Sequence, residues 1–198
     1  MDPTPSRATI TGLILAGGRG QRLGGVDKGL QPWRDVALVD HALARLAPQV
    51  REVMISANRN QAAYAARVTR VLADDTGDYP GPLAGILAGL RAAATPWLTV
   101  VPCDCPLLPL DLVERLSHGI GNATGAVAQR DHGVQGLRLE PVCCLLSTAL
   151  ADDLARYLAD GGRKVEGWVA RHAAPVPFDR PDDASAFANV NTPADLER

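Results

Sequence analysis

The residues richest in chemistry lie between positions 15 and 28: Leu15-Ala16-Gly17-Gly18-Arg19-Gly20-Gln21-Arg22-Leu23-Gly24-Gly25-Val26-Asp27-Lys28. Five glycines let a backbone turn its N–H groups toward an anion at close range. Arg19, Arg22 and Lys28 add positive charge, so the composition is that of a phosphate cradle. It is not a Walker A loop, because Lys28 is preceded by Asp27 and followed by Gly29. It is not a dinucleotide fingerprint, because Leu23 stands where the third glycine belongs. A Gly-rich surface loop is the plainer alternative. The chain has 18 arginines and only two lysines, Lys28 and Lys164. Where generic positive charge suffices this sequence uses Arg, so Lys28 points to a need for a compact ammonium.

Three later clusters could complete a site. Asp74, Asp75 and Asp78 precede a Gly/Pro turn that opens a helix at Pro82-Leu83-Ala84. Asp74 could accept hydrogen bonds from a guanine or a ribose, and the backbone at Pro82 and Leu83 could line one side; an acidic capping loop is the alternative. In Pro102-Cys103-Asp104-Cys105-Pro106 the carboxylate of Asp104 projects from a strand end, where a hard Mg²⁺ could bridge it to phosphates. The rival is a thiolate metal or redox site made from Cys103, Cys105, Cys143 and Cys144. Adjacent Cys143 and Cys144 must point to opposite faces of a strand, however, and zinc sites use wider pairs. Buried, reduced thiols are the expected state. In Phe187-Ala188-Asn189-Val190-Asn191-Thr192-Pro193, alternation puts Asn189 and Asn191 on one face, able to donate and accept toward a polar ring. Alternatively, Asn191 and Thr192 merely end a strand and cap a helix.

These clusters need a scaffold, and the hydrophobic pattern supplies one. Strands are expected at 8–16, 51–57, 70–73, 97–101, 125–129, 137–146 and 174–178, and helices at 38–46, 61–66, 82–94, 110–117, 148–159 and 164–172. A final turn of helix at 193–197 follows Thr192 as N-cap, with proline at N1. The alternation implies an α/β fold with a mostly parallel central sheet and helices on both faces, with antiparallel insertions in the later half. In such sheets ligands bind beyond the carboxyl ends of the strands, which is where each cluster falls.

Composition limits the partners. The 198 residues fit one domain spanning 1–198, with residues 1–7 as a frayed lead-in. A net charge of -2 gives no global field for nucleic acid or anionic lipid. No apolar run approaches the ~20 residues of a membrane helix, and the start of the chain lacks the order of a secretory signal, so the cytoplasm is the expected compartment. The four histidines show no ligand spacing.

Taken in chain order, Leu15-Ala16-Gly17-Gly18 with Arg22, Gly24, Asp27 and Lys28, then the segment from Tyr79 to Gly85, then Pro102 to Pro106, then Asn189 to Pro193, resemble the molybdenum cofactor guanylyltransferases. The resemblance implies a Rossmann-like nucleotidyltransferase fold. It also implies transfer of GMP from GTP to molybdenum-bound molybdopterin, with Mg²⁺ required and pyrophosphate released. Carried over residue by residue, it places Leu15, Ala16, Gly17, Gly18, Ser56, Asp74, Pro82 and Leu83 around the nucleotide. Lys28 and Arg22 fall on the phosphates, Asp104 on nucleotide and metal, and Asn189 and Asn191 toward the pterin. Ser56 stands where such proteins commonly carry Asn. The resemblance further implies transient contact with proteins that deliver the pterin and with recipient molybdoenzymes. A pterin cytidylyltransferase and a sugar-phosphate nucleotidyltransferase share the same loop logic, and a non-catalytic nucleotide-binding regulator, which would bind GTP but release no pyrophosphate, is a third alternative.

Overall fold

The computed structural model describes residues 4–16, 26–73 and 81–196. A 3₁₀ turn, Arg7–Thr9, leads into β1 (Ile10–Leu15). The expected first strand is thus shortened at its start, where the Ser6 amide donates to Thr9 Oγ1 at 2.9 Å and the turn takes over. After β1 come a 3₁₀ turn (Lys28–Leu30), the small hairpin β2 (Pro32–Trp33) and β3 (Val36–Ala37), and α1 (Leu38–Leu46). Next are β4 (Glu52–Ser56), α2 (Gln61–Ala65), β5 (Arg70–Leu72), α3 (Pro82–Ala92), β6 (Trp97–Pro102) and α4 (Leu112–Gly119). The later half holds β7 (Gly125–Asp131), β8 (Leu137–Ser147), α5 (Ala151–Ala159), α6 (Val165–His172), β9 (Ala173–Pro177) and the short helices α7 (Asp183–Ala186) and α8 (Pro193–Leu196).

Seven strands form one sheet in the order β5-β4-β1-β6-β8-β7-β9. All run parallel except β8, which is antiparallel to both β6 and β7. Period-2 alternation divides the core in two. Ile10 and Ile14 of β1, Ile55 of β4 and Val101 of β6 face the cluster under α1 and α4. Leu13, Met54, Leu98 and Val100 face the cluster under α3, α5 and α6. Helices therefore cover both faces. In α1 the buried residues Leu38, Val39, Ala42 and Leu46 form a single stripe at helical spacing. Burying each such leucine stabilises the fold by about 2 kcal/mol.

Three local features differ from the sequence expectation. The segment 148–159 is not one helix: Ser147 Oγ caps a 3₁₀ turn, Thr148–Leu150, before α5 begins. The β2–β3 hairpin carries Arg34 and Asp35 at φ of 51° and 64°, so its turn lacks the Asn-Gly signature that such geometry usually demands. Helix α7 is only four residues long, too short for a periodic signal. Among the described residues, no helix is long and apolar enough to cross a membrane.

Candidate functional site

The parallel half of the sheet brings its strand ends to one level. Leu15 is paired with Ser56 of β4 on one side and with Pro102 of β6 on the other. Two further backbone bonds carry the ladder past the strands: the Ala16 amide donates to the Ser56 carbonyl at 2.9 Å, and the Cys103 amide to the Leu15 carbonyl at 3.1 Å. After β1 the chain proceeds first to β4 and β5, then back to the other side at β6. That reversal leaves a crevice at the carboxyl edge, the usual ligand position in open α/β sheets. A cavity of about 290 Å³ opens there, walled by the β1 end, the first turn of α3, the Pro102–Asp104 segment and Asn189.

Lys28 lines this cavity. Its Nζ donates to Asp104 Oδ2 at 2.5 Å and to Asn191 Oδ1 at 2.6 Å. The Lys28 and Asp104 side chains are 17% and 20% exposed, buried enough to strengthen their attraction and open enough to meet a substrate. An ammonium has three donors, so one remains for a phosphate oxygen.

The Asn189–Asn191 segment is fixed against Asp104 by its backbone. The Val190 amide donates to the Asp104 carbonyl at 2.9 Å, while the Val190 side chain packs with Trp33 and Leu38 on the other side. Below it, Asp195 Oδ2 accepts from the amides of Asn191 and Thr192 at 3.0 and 2.9 Å, and Thr192 Oγ1 accepts from the Asp195 amide at 3.3 Å. That is a capping box closing the start of α8. Thr192 therefore caps the helix, as the plainer reading of this segment has it, while the Asn191 side chain is engaged by Lys28. The Cys105 thiol donates to Asn189 Oδ1 at 2.9 Å. Burial first, and then the neighbouring Asp104 carboxylate, push that thiol's pKa well up, which keeps its proton on. With both carbonyl oxygens engaged, Asn189 and Asn191 are left with amide donors, suited to acceptor oxygens such as those of a phosphate.

The residues singled out from sequence fall into three groups. Leu15, Ala16, Lys28, Ser56, Pro82, Asp104 and Asn189 line the cavity, and Asn191 joins it through Lys28. The Leu83 side chain turns instead into the core beneath α3. Gly17, Gly18, Arg22 and Asp74 lie outside the described residues. Ser56 abuts the base of α3 so closely that a Cβ on Gly85 would sit 2.7 Å from its Oγ. Sequence reasoning missed Val142, which lines the cavity from β8, and two residues bonded to Asp27, Asn60 and Tyr64. The i, i+4 spacing of the latter pair puts both on one side of α2 but does not point to Asp27.

The four cysteines are free and buried. Cys143 and Cys144 lie in different core clusters on opposite faces of the sheet, as strand alternation requires. Burial pushes the Cys103 and Cys144 thiols up to about 12, which places them far from the thiolate form that binds soft metals. Lys164 precedes α6, away from the cavity lining.

Comparison with known proteins shows the family to which the chain belongs. The chain is 50% identical over 196 residues to a protein of Ralstonia nicotianae named molybdenum cofactor guanylyltransferase, covering 96% of this chain and 95% of that one. It is 52% identical to a protein of the same name from Acidovorax sp., covering 94% and 93%. Among solved structures, molybdopterin-guanine dinucleotide biosynthesis protein A from Archaeoglobus fulgidus superposes with a TM-score of 0.74 at 23% identity, covering 95% of each chain. The model of the MobA-like NTP transferase domain matches residues 12–176, and the chain belongs to that family.

Proposed function

We propose that this chain transfers GMP from GTP to the terminal phosphate of molybdenum-bound molybdopterin, yielding the guanine dinucleotide cofactor and pyrophosphate. The observation that carries the reading is Lys28, held by Asp104 and Asn191 in the lining of the crevice where β1 meets β6. Relatives about half identical over nearly the whole chain, named for this activity, support it.

The reaction asks little of the protein as acid or base. The pterin phosphate is already ionised and attacks the α-phosphorus in line, forming one P–O bond as the bond to pyrophosphate breaks. Catalysis then consists of positioning and charge neutralisation. The backbone at Leu15 and Ala16 and the start of α3 hold the nucleoside side of the cavity. The third N–H of Lys28 binds a phosphate oxygen. The amide donors of Asn189 and Asn191 orient the incoming phosphate.

The Asp104 site also fits a hard divalent cation such as Mg²⁺. It offers one partly buried carboxylate, whose Oδ1 accepts, among the described residues, a long contact from the Cys105 thiol at 3.9 Å. Mg²⁺ commonly takes one or two carboxylates and completes its shell with water and phosphate oxygens. When bound, such an ion would neutralise charge developing on the α-phosphate and the leaving pyrophosphate.

The test is pyrophosphate release from GTP and from CTP, each with and without molybdenum-loaded molybdopterin. Release is expected only with GTP and the pterin together. Equal or faster release with CTP would overturn the guanylyl assignment, and release without pterin would overturn the acceptor.

A further inference from the structure

Next to Lys28 in the chain, and outside the cavity lining, the Asp27 carboxylate is buried with 8% of the residue exposed. Its two oxygens have separate donors. Tyr64 donates its hydroxyl to Oδ1 at 2.6 Å, and Asn60 donates Nδ2 to Oδ2 at 3.0 Å. Among the described residues, Asp27 forms no ion pair. The adjacent Lys28 ammonium is directed elsewhere, to Asp104 and Asn191. A buried carboxylate is costly unless its oxygens are bonded, and here two neutral side chains bond it. Both come from one stretch: Asn60 immediately precedes α2, and Tyr64 lies one turn further on.

We infer that Tyr64 and Asn60 are positioning residues for Lys28, acting through the Asp27 carboxylate; the inference rests on the reading of Lys28 as the phosphate ligand. A carboxylate gripped at both oxygens cannot rotate, so the backbone of residue 27 is fixed relative to α2. The Asp27 carbonyl is held as well, by the Leu30 amide at 3.2 Å and by Gln31 Nε2 at 3.3 Å. Lys28 leaves this anchored residue at the first position of its 3₁₀ turn, and its reach to Asp104 follows from where that turn starts. Gly29 makes room for the arrangement: a Cβ there would lie 2.5 Å from the Tyr64 hydroxyl oxygen. Tyr64 itself is wholly buried, so its ring is held by the core while its hydroxyl serves the site.

Tyr64→Phe keeps the ring and removes only the hydroxyl. Asn60→Gly removes the amide while tolerating the φ of 50° at that position. Each variant is measured for kcat and for the KM of GTP, in the native background and in Lys28→Ala. A slightly misplaced catalytic group costs on the order of tenfold to a hundredfold. Tyr64→Phe is expected to lower kcat about tenfold with KM for GTP little changed, and Asn60→Gly to lower it less. In the Lys28→Ala background neither is expected to lower kcat further, because residues that act through one group are not additive. Equal losses in both backgrounds would overturn the inference and leave Tyr64 a core residue only. Lys28→Ala with native kcat would overturn the phosphate reading of Lys28 and the inference with it. Should Tyr64→Phe fail to fold, the Asn60→Gly series decides alone by the same criterion.

Discussion

Two of the partly buried pairs of opposite charge among the described residues, Lys28–Asp104 at the crevice and Arg115–Asp183 between α4 and α7, are built on different plans. Arg115 meets both oxygens of Asp183, each at 2.9 Å, and gives a further bond to the Pro177 carbonyl. Its guanidinium lies 3.7 Å from the centroid of the Phe178 ring. The Arg180 amide adds a bond to Asp183 Oδ2 at 3.0 Å. The two side chains are 11% and 6% exposed. This pair is saturated: planar fork against planar carboxylate, stacked and closed to newcomers. Lys28 touches Asp104 through one oxygen only, shares its charge with a neutral amide, and keeps a donor in reserve. On the proposed reading of Lys28, the pair that a substrate reopens uses the point-like cation, and the pair that holds two elements together uses the fork.

That contrast predicts opposite consequences. Asp104→Asn keeps the size and a carbonyl for Lys28 but removes the charge that would hold a cation. Turnover should fall by about a thousandfold, the scale of losing a main electrostatic contact in a transition state, while the thermal midpoint stays close to native. Steady-state pyrophosphate release alongside thermal unfolding checks both halves; near-native turnover would remove Asp104 from the chemistry.

Arg115→Ala should do the reverse. It strands a buried carboxylate, at a cost of about 3 kcal/mol, which for a chain of this size lowers the thermal midpoint by roughly 10 °C. Turnover per folded molecule should be unchanged, since α4 and α7 contribute nothing to the cavity lining. A loss of activity greater than the loss of folded protein would show that the far pair also shapes the site.

The same two pairs show what the sequence could and could not disclose. Lys28 and Asp104 were legible because each follows a strong apolar strand and the fold rule puts strand ends together. Their partner Asn191 was legible through its spacing from Asn189. The saturated pair was not, because Arg115 reads in the sequence as the polar side of an ordinary amphipathic pattern and Asp183 belongs to a four-residue helix with no period. The link from Tyr64 to Asp27 was hidden for a related reason. A tyrosine in a short helix reads as core, and nothing local says where its hydroxyl goes. Burial on both faces was legible from continuous apolar strands such as 98–101. The reversal of β8 was expected only as an antiparallel insertion somewhere in the later half, because strand direction is set by connections rather than by composition.

The smallest effect separates the pairs by acid. Burial alone would raise the pKa of Asp183, but the bonds from Arg115 and from the Arg180 amide overcome it and hold the carboxyl below its usual range. A carboxyl depressed in the folded state binds protons less readily there than in the unfolded chain. Its contribution is therefore complete above the unfolded value, about 4, and is lost as pH falls through the lower folded value. Asp183→Asn should thus lie a constant distance below the native protein in urea midpoint from pH 7 to pH 5. Below about pH 4 that gap should narrow, because the native protein loses what the variant never had. A gap that stays constant, or widens, on acidification would mean that the Arg115 fork stabilises the fold through its stacking on Phe178 rather than through the charge of Asp183.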